Sequence, residues 1–351
     1  MSRFLNAKYQ SLEAYVPGEQ PQDQKYIKLN TNESPYPPGD AVVTAVNRAA
    51  VERLRLYGDP DAKVLSEKLA ARYNVAVENV YTSNGSDDIL NFAFMAFGEK
   101  GAAFSDITYG FYKVFSDLYG IKTQIIPLKD DFSLDYHDYL NLNKLIVIAN
   151  PNAPTGLELS LGEIEEILKA NPDGVVVIDE AYVDFGGQSA VGLIKKYPNL
   201  LVVQTYSKSR SLAGARLGYC FGDKELIDDL KRIKYSTNPY NVNSLTQAAG
   251  AAALDEEEYY QANCAKICET REKTAQALKE MGFTMTESKT NFLFIKKDGL
   301  DGTYLYQELK KRGVLVRHLS GARIKEYNRV TIGTAEEMAV FLAKVREIIG
   351  G

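Results

Sequence analysis

The chain reads as an α/β protein, with a large unit built on a mostly parallel, seven-stranded sheet flanked by helices and a smaller α+β unit beside it. Three observations predict this. From about residue 78 to 232, short apolar runs alternate with segments of helical period, the pattern of strand-helix-strand crossovers. The runs NVYTS, GAAFSD, TQIIPL, KLIVIAN, GVVVIDE, NLLVVQTYS and LGYCFG lack polar alternation, as strands covered on both faces do. At 351 residues the chain also exceeds the size at which one hydrophobic core stops growing, so a second unit is expected.

Taken in order, residues 1–38, with PGEQPQDQ and SPYPPG, read as a loop-like segment crossing both units. Residues 39–254 form the large unit. Within it Asn84-Gly85-Ser86 reads as a glycine turn opening a helix capped by Ser86, and Ser160 with Glu163 fits a capping box. Residues 255–351 form the small unit, which begins with a long polar helix and continues through NFLFIK, a second helical stretch, GVLVRH and RVTIG. A second capping box, Thr334 with Glu337, leads into Phe341, Leu342, Val345, Ile348 and Ile349 at helical spacing.

Composition excludes several functions. A net charge of -5 with dispersed acidic residues gives no basic footprint for nucleic acid. No run of about 18 apolar residues suggests a membrane span, and the start MSRFLNAKYQSLEAY lacks a signal core, so a cytoplasmic protein is expected. Cys220, Cys264 and Cys268 are too few and odd in number for a disulfide framework, and packed, reduced thiols are expected. With only His137 and His318, a catalytic triad or histidine-rich metal site lacks material, and no metal is expected. Chemistry must then rest on lysine, carboxylates, tyrosines or a borrowed cofactor.

In parallel sheets ligands sit beyond the carboxyl ends of the strands, so the residues there are the candidates. Ser86 and Asp87 follow NVYTS at a helix N-terminus, which suits a phosphate. Tyr109 follows the next strand and is placed to stack on a flat ring, although a core tyrosine fits as well. Asn152 stands in the stiff turn Asn150-Pro-Asn-Ala-Pro-Thr-Gly156. Asp179 ends the strand GVVVID, where a carboxylate needs a cation or a dense set of donors. Lys208, in TYSKSRSLAGARLGY, stands at a strand end among small residues, where partial desolvation favours a neutral amine that attacks carbonyls. Ser207 and Arg216 flank it as anion ligands. A Schiff-base lysine, a phosphate site, a ring-stacking tyrosine and a carboxylate for a ring nitrogen are together what pyridoxal 5'-phosphate (PLP) requires.

The chain resembles the aspartate-aminotransferase-like, fold type I superfamily of PLP-dependent enzymes. The motifs LNTNESPYPP, RLYGDP, SNGSDD, ITYGFY, NPNAPTG, DEAYVDF, SKSRSLAGARLGY, NPYNVNSLTQAA and NRVTIGT follow the family's order over nearly the whole length. The resemblance implies that Lys208 is the covalent anchor and moves the substrate proton, and that Asp179 holds the ring nitrogen protonated. It implies that Tyr182 and Asn152 bond the phenolic oxygen and Tyr109 stacks on the ring. Ser86, Asp87 through its backbone N–H, Ser207 and Arg216 would hold the phosphate. Tyr57 would reach that phosphate from the partner subunit of a homodimer. Arg329 and Arg317 would bind the substrate's anionic groups, with Tyr15 and Asn32 in the segment that closes over it. Arg323 is expected to be a solvated charge, and Arg210 has no assigned role.

One departure is Ala153, where the family usually has asparagine before Pro-Thr-Gly; Asn152 is expected to reach the phenolic oxygen instead. PYNVN and RVTIGT point to the branch acting on histidinol phosphate with glutamate as amino donor, in histidine biosynthesis. An aromatic-amino-acid transaminase or a phospho-amino-acid decarboxylase is the alternative within the superfamily, and a non-enzymatic PLP-binding module the alternative outside it.

Overall fold

The computed structural model describes residues 7–9 and 11–350. Its strands are β1 (Ile27–Lys28), β2 (Val80–Ser83), β3 (Ala102–Ser105), β4 (Thr123–Ile126), β5 (Leu145–Ala149), β6 (Val176–Asp179), β7 (Leu200–Thr205), β8 (Gly218–Gly222), β9 (Thr284–Met285), β10 (Phe292–Lys296), β11 (Val314–Leu315), β12 (Arg317–His318) and β13 (Asn328–Thr331). The seven expected runs are β2 to β8, and they form one sheet in the order β2-β8-β7-β6-β5-β3-β4. Its pairs are parallel except that β8 runs against both neighbours.

Successive residues of a strand face opposite sides, and both sides are covered. Val176 and Ile178 of β6 join one core cluster with Ile146, Ile148 and Val202; Val177 joins another with Leu145, Val147, Leu201 and Val203. Of the sheet's two edges, β4 departs from full burial, with Gln124 and Ile125 exposed, whereas β2 is buried throughout. At about 25 cal/mol per Å² of apolar area removed from water, these double-faced strands are the main source of the large unit's stability.

The helices include α1 (Asp40–Ala45), α2 (Arg48–Glu52), α3 (Lys63–Tyr73), α4 (Ser86–Phe97), α5 (Phe111–Tyr119), α6 (Leu161–Ala170), α7 (Lys224–Thr237), α8 (Ser244–Ala253), α9 (Glu257–Glu280), α10 (Gly302–Lys311) and α11 (Ala335–Gly350). The capping box forms at α6: Glu163 N–H donates to Ser160 Oγ (3.3 Å) and Ser160 N–H to Glu163 Oε2 (2.8 Å). Before α11, Thr334 and Glu337 exchange the same pair of bonds. The stripe of α11 buries Phe341, Val345 and Ile348, while Leu342 and Ile349 pack against the same core at its margin. The long helix α9 is polar on one face and lays Tyr260, Cys264, Ile267, Thr274, Ala275 and Leu278 inward on the other.

A second sheet, β12-β13-β10-β9, is antiparallel and packs on α9, α10 and α11. The run GVLVRH serves two sheets. Its first half, β11, pairs in parallel with β1 from the N-terminal segment, and its second half, β12, pairs with β13.

Cys264 is buried and Cys268 half-buried with its thiol donating to Phe185 O, and neither is in a disulfide. No helix among the described residues is long and apolar enough to cross a membrane.

Candidate active site

The carboxyl ends of the parallel strands open into a cavity of about 460 Å³. Its wall includes Ser86, Asp87, Tyr109, Asp179, Tyr182, Ser207, Lys208 and Arg216. A second cavity of about 410 Å³ shares Tyr109, Ala153, Tyr182 and Lys208 with the first and adds Tyr15, Asn32, Arg317 and Arg329. Residues singled out at separate strand ends thus meet, with Lys208 on the wall between the two spaces.

The inner cavity is shaped by backbone. Ser86 is the first residue of α4 and Gly85, at φ +85°, stands before it; no side chain caps the helix, contrary to the expected Ser86 cap, so the first N–H groups of α4 are left open. Gly218 presses on that turn, since a Cβ there would lie 2.3 Å from Ser86 N. Arg216 takes a left-handed backbone, φ +55°, a conformation costing roughly 1–2 kcal/mol for a residue with a side chain. Its Nη2 donates to Asp87 Oδ2 (3.0 Å), and Tyr109 OH donates to Asp87 Oδ1 (2.7 Å), so one carboxylate ties the ring to the guanidinium. Ser207 Oγ accepts from Thr205 Oγ1 at 3.0 Å.

The same wall includes Asp179, buried at the end of β6. Burial pushes its carboxyl up to about 6, opposed by hydrogen bonds from Tyr112 OH (2.7 Å) and Ala181 N–H (3.2 Å). Lys208 Nζ donates to Thr31 O (3.3 Å) and lies 5.8 Å from the centre of the Tyr182 ring. Tyr182 OH accepts from Asn32 Nδ2 (3.0 Å). Asn32 is itself fixed, with Thr331 bonded to its backbone N–H and its Oδ1, and Asn291 to its carbonyl.

The outer cavity adds two guanidinium groups. Arg317 and Arg329 face each other across β12 and β13. Arg317 donates to Val16 O and Pro17 O, and Arg329 Nη2 to Asn30 O. Arg329 Nε is buried with no partner, and burial holds that guanidinium below its usual range. Tyr15 stacks on Phe111 (4.2 Å) and meets Tyr109 edge-on (6.2 Å), and burial raises its phenol.

Three expectations change. Asn152 does not face the shared space. Its Oδ1 accepts from Thr108 Oγ1, its Nδ2 donates to Ile107 O and Thr155 Oγ1, and it lines a different hollow. The turn spends that amide on its own backbone, so Ala153 faces the cavities and the amide on Tyr182 OH comes from Asn32. Arg323 is not a free charge: it pairs with Asp106 Oδ2 (2.9 Å), donates to Lys129 O and lies over the Phe132 ring. Arg210 gains a structural place, 2% exposed, with two bonds to Glu257 at 2.7 and 3.2 Å.

Tyr57 is apart from both cavities of its own chain. It is 83% exposed and stacks on Tyr240 at 4.5 Å. Thr31, Thr205 and Tyr112 were not legible as site residues. Thr31 acts through its carbonyl, which no side-chain signal marks, and Tyr112 differs from other core tyrosines only by standing one helical turn after Tyr109.

The family model for aminotransferase class I and II matches residues 24–345. Among curated proteins, the chain is 51% identical to a histidinol-phosphate aminotransferase of Brachyspira hyodysenteriae over 99% of both chains. It is 48% identical to one of Clostridium acetobutylicum over 99% of this chain and 100% of that one. Among solved structures, a histidinol-phosphate aminotransferase of Sinorhizobium meliloti in complex with pyridoxal-5'-phosphate superposes with a TM-score of 0.87. It is 23% identical and covers 99% of this chain and 98% of that one, which speaks to the fold.

Proposed function

The chain belongs to the class I and II aminotransferase family, and on that premise we propose that it moves an amino group between glutamate and imidazole acetol phosphate. The product is L-histidinol phosphate, a step of histidine biosynthesis, and the cofactor is PLP. The observation that carries the substrate reading is the pair Arg317 and Arg329 beside Lys208. Two guanidinium groups opposite each other on a sheet repel unless an anion lies between them, and one N–H of the buried member has no partner. A donor carboxylate and a substrate phosphate both suit such forks.

The inner cavity fits the cofactor. The open N-terminus of α4, the Ser207 hydroxyl and Arg216 supply phosphate donors, and at the turn before α4 the backbone is close-packed. A Cβ on Gly85 would lie 2.7 Å from Arg216 Nη2. When bound, PLP supplies an aldehyde that takes up the amino group and a protonated ring that draws electrons from the neighbouring carbon.

Lys208 is the covalent anchor and, through Nζ, the base that takes the proton from the substrate's amino-bearing carbon and returns it. Asp179 holds the proton at the ring nitrogen. Tyr182, oriented by Asn32, donates toward the phenolic oxygen, and Tyr109 covers one ring face. Arg329 and Arg317 orient the substrate, and Tyr15 and Asn32 help to exclude water.

The same reading makes the enzyme a homodimer in which Tyr57 of the partner subunit reaches the phosphate. Tyr57 lines neither cavity of its own chain, and Leu56 and Val64, which line the same hollow as Tyr57, are exposed apolar side chains suited to a second copy. A division at residues 38 and 254 into N-terminal segment, large unit and small unit belongs to the proposal. So does a cytoplasmic location, which suits three thiols outside any disulfide.

Kinetics with histidinol phosphate, phenylalanine and phosphothreonine, each with 2-oxoglutarate, test the substrate. The first is expected to turn over fastest, and no turnover of it overturns the assignment. The purified protein is expected to be yellow, with a visible band that shifts on adding glutamate. Mixing inactive Tyr57→Phe and Lys208→Ala chains tests the shared site: hybrid dimers regain part of the activity if Tyr57 crosses the interface, and verified hybrids without rescue refute it.

A further inference from the structure

Tyr112 lies outside both cavities, on the first turn of α5, and is completely buried. A buried phenol needs a partner, and its OH donates to Asp179 Oδ2 at 2.7 Å. The other Asp179 oxygen accepts the N–H of Ala181. Two donors fix the carboxylate plane and leave its remaining lone pairs for the cavity, where Asp179 forms part of the wall.

The same ring makes a second contact. Tyr109 meets Tyr112 edge-on, centroids 5.7 Å apart at 83°. Tyr109 is held at its other end by Asp87. Tyr112 thus touches two residues of the inner cavity's wall, and Phe94 and Phe104 also pack on it. No other described residue makes ring or hydrogen-bond contact with both Asp179 and Tyr109.

We propose that Tyr112 is a positioning residue that orients Asp179 toward the cofactor's ring nitrogen and braces Tyr109 against the ring face, so that one buried side chain sets the cofactor's edge and face contacts together. This rests on the PLP reading above. A phenol that donates stabilises the ionised carboxylate, the form that keeps a proton on a ring nitrogen. The other charged or titratable groups acting on Asp179 or Tyr112 are Asp87 from α4, Tyr109 before α5, Tyr182 after β6 and Lys208 after β7. Among these, only Lys208 brings a positive charge toward Asp179, so burial is offset chiefly by the Tyr112 hydroxyl, the one side chain that donates to the carboxylate, with the Ala181 N–H beside it.

Tyr112→Phe keeps the ring and removes the hydroxyl; Tyr112→Leu removes both. Three measurements are made on wild type and both variants: titration of apoprotein with PLP, the pH dependence of the bound cofactor's visible band, and kcat and KM for glutamate. For Tyr112→Phe we expect about tenfold weaker PLP binding, a shifted pH midpoint of the visible band, and about tenfold lower kcat with KM near wild type. For Tyr112→Leu the PLP affinity falls further because Tyr109 loses its brace. Wild-type PLP affinity and an unmoved band midpoint in Tyr112→Phe overturn the inference. A wild-type protein that neither binds PLP nor turns yellow overturns the function reading instead.

Discussion

The two cavities that meet at Lys208 are built differently. The inner one takes each group from a residue close behind a strand of one sheet. Ser86 follows β2, Asp179 ends β6, Ser207 and Lys208 follow β7, and Arg216 precedes β8, all set by backbone ladders. The outer one is assembled from segments about 300 positions apart, through bonds from Arg317 to Val16 O and Pro17 O and from Arg329 to Asn30 O. Backbone ladders are cooperative and resist small displacements, whereas a few side-chain bonds to carbonyls yield when a ligand competes. The inner half is therefore suited to fixing chemistry and the outer half to recognising substrates of different length. Damage to the first should appear in kcat and cofactor affinity, and damage to the second in KM.

The largest expected effect lies where the halves meet. Lys208→Ala should lower kcat by about 10³-fold or more while the dimer stays folded, because both the anchor and the proton carrier are lost. Single-turnover assays and size-exclusion chromatography check this, and substantial retained turnover would remove Lys208 from its role. Next comes the outer half. Arg329→Met should lower kcat/KM for glutamate by roughly 10- to 100-fold, the worth of charge-assisted bonds of about 1.5–3 kcal/mol, with PLP affinity unchanged. Arg329→Lys should recover little, since an ammonium cannot replace the fork. A loss of PLP affinity equal to that in KM would break the distinction between the halves.

A smaller effect probes the backbone of the inner half. Gly218→Ala places a methyl against Ser86 N and Gly85, and should cost about 1–3 kcal/mol of stability and weaken PLP binding. Gly192→Ala, with nothing within 4 Å of the new carbon, should stay within about 0.5 kcal/mol, measured by urea unfolding.

The smallest effect is a pH dependence in the apoprotein. Glu180 lies behind Asp179, and burial pushes its carboxyl up to about 7 against bonds from Ser189, Ala190 N–H and Gln204. A carboxyl raised in the folded state binds its proton more tightly there than when unfolded. Its contribution is full below about pH 4.5 and is lost as the pH rises through about 7, together with that of Asp179 up to about 6. Glu180→Gln should flatten this slope by about 1–2 kcal/mol between pH 4.5 and 7.5 in urea titrations. An unchanged slope would show that the three donors offset burial and that Glu180 takes up no extra proton on folding.

The same contrast explains what could be read from the sequence. The strands of the inner half announce themselves as apolar runs, so Ser86, Asp179 and Lys208 could be read from strand ends, whereas Tyr182 took its role from resemblance and Thr205, the last residue of β7, carried no signal of its own. Arg317 and Arg329 came only by resemblance, because nothing local says that β12 and β13 pair. Asn152 misled, since an amide in a turn serves its own loop as readily as a cavity. Arg210 and Glu257 are neighbours only in three dimensions, and an exposed arginine such as Arg323 looks the same in sequence whether or not a partner waits for it.

The parallel pairing of β1 with β11 has a consequence for synthesis on the ribosome. The segment bearing Asn30, Thr31 and Asn32 emerges early, but its strand partners Val314 and Leu315 are made only after most of the chain. At roughly 5–20 residues per second, β8 precedes β11 by about 5–20 s, an interval in which every strand of the large sheet has been made while β1 still lacks its strand partner. Lys208 is thus made before the strand partner of the segment whose Thr31 carbonyl it bonds. The strand pair that anchors this segment beside the two cavities is therefore among the last to form, and a nascent chain stalled before β11 would hold the segment without that ladder.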